Sequence, residues 1–150
     1  MHLAEFFAPG AVSLGLRAST KDDVLEELVG LLRVDEQSHA TLLRTLRRRE
    51  ALGSTGVGRG IAIPHCRSLV VERLRLAFGR HPAGVPYQAI DDRPAHNFFL
   101  IVAPPLEVSN QYLPVLGRIA QFAKEPAIDE RLAALDGPEA FFDLLREKGV

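Results

Sequence analysis

Asn97-Phe-Phe-Leu-Ile-Val-Ala103 is the stretch that decides the fold. Apolar residues fill odd and even positions alike, so a strand built from them is apolar on both faces. Such a strand needs helices on both sides. Residues 61–63 and 74–78 are short apolar runs bounded by Gly and Pro, and read as companion strands. Residues 11–16 alternate apolar and small side chains and give a further strand. Ser19 and Thr20 are N-cap candidates with Asp22 and Asp23 in the following turn. Val24, Leu25, Leu28, Leu31 and Leu32 then recur at helical spacing. A second helix over residues 36–50 turns Leu42, Leu43 and Leu46 inward. Arg44, Arg47, Arg48 and Arg49 lie towards its negative end. The C-terminal third reads as helical. One helix opens at Val108 or Ser109 and runs to Ala123, with Leu113, Leu116, Ile119 and Ala120 on one face and Pro114 near its first turn. Helices over 127–135 and 138–147 come next, separated by Asp136-Gly137. The expectation is a single α/β domain of three layers, with helices on both faces of a mixed β-sheet.

The bulk properties narrow the function. A chain of 150 residues makes one domain with a proper core. A formal charge of −1 argues against nucleic-acid binding through a broad basic field. The single cysteine, Cys66, excludes an internal disulfide and a multi-cysteine zinc site. The N-terminus lacks the basic and apolar regions of a signal peptide, and the longest apolar run, 98–106, is too short to span a bilayer. A cytoplasmic location is expected.

Chemistry concentrates upstream of the central strand, in Glu50-Ala-Leu-Gly-Ser-Thr-Gly-Val-Gly-Arg-Gly-Ile-Ala-Ile-Pro-His65. Gly53, Gly56, Gly58 and Gly60 can reach positive φ and let backbone N–H groups gather around an anion. The strand at 61–63 fixes the position of the next residues, and Pro64 restricts the backbone so that His65 is aimed. A neutral imidazole beside an anion-binding loop has the outline of a phosphohistidine site.

Rival motifs fail on residues. A P-loop needs Lys-Ser/Thr after its second glycine, whereas Gly58 is followed by Arg59-Gly60. The dinucleotide fingerprint follows a strand and opens a helix; this loop does the reverse. His2, His39, His65, His81 and His96 contain no i,i+4 zinc pair, and nothing marks Cys66 as an activated thiolate.

The motif resembles the active-site signature of enzyme IIA of the bacterial phosphotransferase system, fructose/mannitol class, which includes the nitrogen-regulatory IIA proteins. That signature runs from an acidic or amide residue (Glu50) through an aliphatic and a small residue (Val57, Gly58). It ends in aliphatic-Ala-aliphatic-Pro-His, here Ile61 to His65. The order of elements resembles the family along roughly the whole chain. The resemblance implies the three-layer fold already expected and His65 as phosphoacceptor. It also implies Arg49 beside it; the loop itself offers Ser54, Thr55, Gly56 and Gly58 as further donors to the phosphoryl group. Arg59 and Arg67 flank the site in sequence. Cys66 stands where the family usually has glycine.

The chain departs from the family pattern on the C-terminal helix. A second histidine is usual there before Leu-x-x-Leu, and here the position holds Tyr112. A phenol can donate a hydrogen bond to a phosphoryl oxygen but adds no positive charge. His96 does not align with it. The implied partners are an HPr-like phosphocarrier as donor and a IIB domain or a regulated protein downstream. No cofactor, metal, nucleic acid or membrane insertion is implied. An apolar ring for docking is expected around His65. The chain's length fits the nitrogen-regulatory type somewhat better. The alternative is a degenerate relative that binds partners with weak or no phosphoryl transfer.

Overall fold

The computed structural model describes residues 1–106 and 110–150. After a 3-10 turn at Leu3–Phe6, the elements run β1 (Phe7–Ser13), α1 (Lys21–Gly30), α2 (Glu36–Leu52), β2 (Gly56–Gly58), β3 (Ile61–Ala62) and β4 (His65–Arg67). Then come β5 (Arg75–Val85), β6 (Ala95–Ala103), α3 (Tyr112–Phe122), α4 (Ile128–Ala133) and α5 (Pro138–Glu147). Both N-terminal helices begin on side-chain caps: Thr20 Oγ1 accepts from the Asp23 N–H, and Asp35 Oδ1 from the Ser38 N–H.

The six strands form one mixed, open sheet in the order β1-β5-β6-β3-β2, with β4 also paired to β6. β6 is central: antiparallel to β5 and parallel to β3 and then β4 along its other edge. Its side chains divide the core. Phe98, Leu100 and Val102 pack with Leu25, Leu28, Leu42 and Leu46 from α1 and α2. Phe99, Ile101 and Ala103 pack with Val115, Ile119, Phe141 and Leu145 from α3 and α5. A period of two on one strand thus separates two apolar layers, as the doubly apolar sequence requires. The three-layer α/β expectation holds.

Element boundaries differ from the sequence reading in instructive ways. β1 starts at Phe7, four residues before the alternating run, because it follows β5 in parallel register from Phe7↔Leu76 to Ser13↔Gly79. β5 runs to Val85, well beyond the apolar stretch, since its far half keeps pairing with β6 out to Val85↔Ala95. The helix start expected at Val108 or Ser109 lies outside the described residues. The buried face of α3 is set by Tyr112, Val115, Ile119 and Phe122, while Leu113 is 66% exposed. Placing Leu113 inward was an error of one position, and the correction turns Tyr112 towards the sheet.

Candidate functional site

The glycine-rich stretch folds as a small hairpin. Gly56 pairs with Ala62 and Gly58 with Ile61, and Arg59 and Gly60 at the turn have φ +57° and +78°. Two successive positive φ values match the tight turn that suits the twist of paired strands. Gly58 itself sits at φ +92°, a conformation that L side chains rarely adopt. At Gly56 the reason is contact: a Cβ would lie 2.8 Å from the Ala89 Cβ.

The loop's donors are largely engaged within the chain. The Ser54 hydroxyl donates to the Tyr87 carbonyl at 2.7 Å and accepts from the Gly56 N–H at 3.1 Å. The Thr55 N–H and hydroxyl both donate to the Glu50 carboxylate. The Arg59 N–H donates to Asp91 Oδ2 at 2.9 Å. Asp91 is held below the usual carboxylate range, chiefly by that bond and then by the Arg93 N–H. The Thr55 and Arg59 amides thus meet the chain's own carboxylates, whereas the Gly56 amide meets the Ser54 hydroxyl.

Glu50 organises this base. Its side chain is 6% exposed, pairs with Lys21 Nζ at 2.8 Å and accepts from the Tyr87 hydroxyl at 3.0 Å. Lys21 also lies 4.5 Å from the Tyr87 ring centroid. Burial first, and the Glu50 charge next, push the Tyr87 phenol well above its usual pKa, so it remains a donor. Lys21 and Tyr87 went unnoticed in the sequence because neither lies in the motif; only the fold brings positions 21, 50 and 87 together.

His65 follows β3 across Ile63-Pro64 and opens β4, paired with Ile101 of β6. It is half-buried, and its Nδ1 lies 2.7 Å from the Ile63 carbonyl oxygen. A carbonyl can only accept, so Nδ1 carries a proton and, in the neutral imidazole, the lone pair lies on Nε2. Nε2 is thereby the ring nitrogen left outside that bond. Tyr112, the first residue of α3, faces it with ring centroids 6.2 Å apart. The Arg67 guanidinium lies 4.3 Å from the Tyr112 ring centroid and donates to the Pro104 carbonyl at 2.9 Å. His65, Tyr112 and Arg67 thus form one cluster. Sequence position alone had left Arg67 as a flanking cation; the stacking onto Tyr112 is the added information.

Arg49 is half-buried near the end of α2, the helix that packs against β4, and its Nη1 donates to the Gly53 carbonyl at 2.9 Å. Cys66 faces the opposite layer, and burial pushes its thiol up to about 12, so it stays protonated. His96 is committed elsewhere, its Nδ1 donating to the His81 carbonyl. Among the described residues, no cluster of His, Cys, Asp and Glu could hold a metal ion. No helix among them is long and apolar enough to cross a membrane.

The family model for the phosphoenolpyruvate-dependent sugar phosphotransferase system, EIIA 2, matches residues 5–148. The chain belongs to this family. It is 29% identical to a nitrogen regulatory protein of Bradyrhizobium diazoefficiens, over 97% of this chain and 95% of that protein. It is 31% identical to the fructose-specific EIIA component of Haloferax volcanii, over 91% and 89% of the two chains. Against the fructose-specific EIIABC component of Bacillus subtilis, identity is 30% over 98% of this chain, which spans 23% of that protein. Among solved structures, the nitrogen regulatory protein IIA-Ntr of Neisseria meningitidis superposes with a TM-score of 0.86 at 30% identity, covering 95% of this chain and 98% of that one. The chain is thus an EIIA domain with relatives in both the sugar-transport and nitrogen-regulatory branches.

Proposed function

We propose that this EIIA domain carries the phosphoryl group on Nε2 of His65. The single observation that supports this most is the 2.7 Å Nδ1–H bond to the Ile63 carbonyl, which leaves Nε2 as the one nucleophilic nitrogen. In the reaction, the Nε2 lone pair attacks phosphorus in line as the P–N bond to the donor histidine breaks. His65 keeps its Nδ1 proton throughout, and the donor imidazole leaves with the electron pair of the broken bond. Positioning and charge stabilisation supply most of the catalysis.

The dianionic group needs cations. Arg67, held over Tyr112 beside His65, supplies the positive charge that a phenol lacks, and Tyr112 orients it. Arg49 spends Nη1 on the Gly53 carbonyl, and among the described residues its other N–H groups have no hydrogen-bond partner and serve the phosphoryl oxygens. Ser54, Thr55, Gly56 and Gly58 act by shaping the hairpin that delivers His65. The donor is an HPr-like phosphocarrier. The acceptor is a IIB domain or a regulated protein; a family member of the same fold, the mannitol IIA of Escherichia coli, has been solved in complex with phosphorylated IIB. Leu69, two residues beyond β4, and Leu113, beside Tyr112, are 88% and 66% exposed and suit an apolar docking rim. The superposition on the Neisseria IIA-Ntr supports the regulatory branch as the setting.

The test is phosphorylation by phosphoenolpyruvate with enzyme I and HPr, read by intact mass. An acid-labile adduct on the wild type, absent from His65→Ala, is expected. An adduct that persists in His65→Ala would overturn the assignment of the residue. No adduct with cognate donors would overturn the phosphocarrier reading and leave a partner-binding domain.

A further inference from the structure

The β2–β3 hairpin carries one rung more than its strand limits. Beyond the Gly56–Ala62 pair, the Ile63 N–H donates to the Thr55 carbonyl at 2.9 Å, and both residues are buried. The two ends of this rung lead in opposite directions. On one side, the Thr55 N–H and hydroxyl donate to the Glu50 carboxylate, which Lys21 and Tyr87 hold in turn. On the other, the Ile63 carbonyl accepts the Nδ1 proton of His65 at 2.7 Å. The residue between them is pinned as well, since the Ile101 N–H of β6 donates to the Pro64 carbonyl at 3.0 Å. Lys21, Glu50, Thr55, Ile63 and His65 therefore form an unbroken series of polar contacts, from a buried ion pair to the imidazole ring.

Two features give this series a task beyond closing a hairpin. It ends on the one proton that decides which ring nitrogen holds the lone pair. The tautomer of a neutral imidazole is set by the hydrogen bond its other nitrogen makes, so a displaced Ile63 carbonyl frees the proton to move to Nε2. The series also grips Thr55 by its side chain. Any residue but proline could offer the N–H, whereas the second bond to Glu50 requires a hydroxyl.

We propose that Thr55 is a positioning residue for His65: clamped by Glu50, it fixes the Ile63 carbonyl, and with it the Nδ1–H tautomer and the orientation of the ring. Its use in phosphoryl transfer rests on the reading of His65 as the phosphoacceptor. Geometry rather than charge passes along the series. Thr55 meets Glu50 through one peptide group and Ile63 through the next, and Ile63 likewise receives and donates at different peptide groups, so the carboxylate holds the ring in place without polarising it directly. A ring with its proton on Nε2 has no lone pair there to attack phosphorus. Thr55 thus acts on the reaction without touching the reacting atoms.

The experiment is long-range ¹H–¹⁵N correlation of the histidine rings in the ¹⁵N-labelled full chain, at about pH 8.5, where an ordinary imidazole is neutral. Wild-type His65 should show Nδ1 protonated and Nε2 bare. In Thr55→Val, which lacks only the hydroxyl grip, the Nε2–H form should rise to about a tenth of the population or more. Glu50→Gln, which loosens the clamp from its other side, should move the ring in the same direction. Thr55→Ser restores the hydroxyl and should return the wild-type pattern. His96 is the internal reference: its Nδ1 donates to the His81 carbonyl, and its signals should stay constant throughout. Phosphorylation from HPr should slow by about tenfold in Thr55→Val and recover in Thr55→Ser, because a loosened ring loses alignment as well as proton placement. A wild-type His65 with Nδ1 bare would overturn the proposal. So would a tautomer ratio unchanged in both Thr55→Val and Glu50→Gln, or a change shared equally by His96. The ring is read with no phosphoryl donor present. A wild type that takes up no phosphoryl group would therefore overturn the phosphocarrier reading, while the tautomer pattern still decides this one.

Discussion

The two ends of the motif that runs from Glu50 to His65 are both polar, yet they are built in opposite ways. Around Glu50 the charge is buried and answered from all sides by Lys21, Tyr87 and Thr55. Around His65 the ring is half-exposed, one nitrogen is fixed by a backbone carbonyl, and the other is left open. The first arrangement gives rigidity, and the second leaves room for the chemistry proposed at His65. A closed network leaves no valence for a substrate; an open one, standing alone, would leave the histidine poorly placed. The motif works because its sealed end anchors the hairpin that aims its open end.

The largest effect should come from breaking the sealed end. Glu50→Ala leaves the Lys21 ammonium and the Tyr87 hydroxyl without their acceptor in a buried setting. Removing one partner of a buried ion pair costs about 3–5 kcal/mol, which at this chain length lowers the melting temperature by about 10 °C. His65→Ala should stay within about 1 kcal/mol of the wild type, as expected for a half-exposed residue outside such a network. Calorimetry on both variants checks the contrast. Comparable losses in the two would dissolve the distinction between anchor and reactive group.

Next comes Arg67→Ala, which strips the cation from the open end. The phosphorylation rate should fall by about a hundredfold, the usual cost of losing one preorganised charge on a transferring group. Stability should fall by only about 0.5–1 kcal/mol, the worth of an exposed cation–π contact. Arg67→Lys should recover part of the rate, because it restores charge without the planar fork. A rate unchanged in Arg67→Ala, measured by rapid-quench mass analysis, would remove Arg67 from the site.

The same contrast explains what could be read from the chain beforehand. The three-layer fold was legible because Phe98 to Ala103 is apolar at every position, and no arrangement but two-sided cover satisfies that. The placement of His65 behind a short strand was legible because its proline, strand and loop are contiguous. Lys21 and Tyr87 were not, since their role depends on packing α1 and the segment after β5 against the end of α2. The glycines were legible as a tight loop, while the partners of its N–H groups were not. Spacing reveals that N–H groups can converge; it does not reveal that Ser54, Glu50 and Asp91 already accept from them. The inward face of α3 was misjudged by one residue because Leu113 and Tyr112 are adjacent and both can pack. The packing of α3 against β6, which no local pattern encodes, decided between them.

A smaller effect separates the charge of the sealed end from its hydrogen bonds. Tyr87→Phe keeps the ring over Lys21 and the edge contact with Phe98, whose centroid is 5.4 Å away. It removes only the hydroxyl that donates to Glu50. A hydrogen bond to a charged group is worth about 1.5–3 kcal/mol, and Lys21 and Thr55 remain to hold the carboxylate. The loss measured by denaturant unfolding should therefore sit at the lower end of that range. A loss as large as that of Glu50→Ala would mean that the phenol, rather than the ion pair, secures the base of the loop.

The smallest expected change is at Tyr112, and it tests the open end most finely. Its ring supports Arg67 on one side and faces His65 on the other, so the tyrosine places a cation without being one. Tyr112→His restores a side chain that can be protonated beside the phosphoryl group, yet it offers Arg67 a smaller surface to stack on. The two consequences oppose each other. A charge-assisted contact is roughly twice as strong as a neutral one, whereas an exposed stacking contact is weak, so the charge should win by a small margin. Phosphohistidine lifetime at neutral pH should lengthen by about threefold. An unchanged lifetime would mean that Arg67 already supplies all the charge the group can use. A shortened one would mean that the aromatic platform matters more than a second cation.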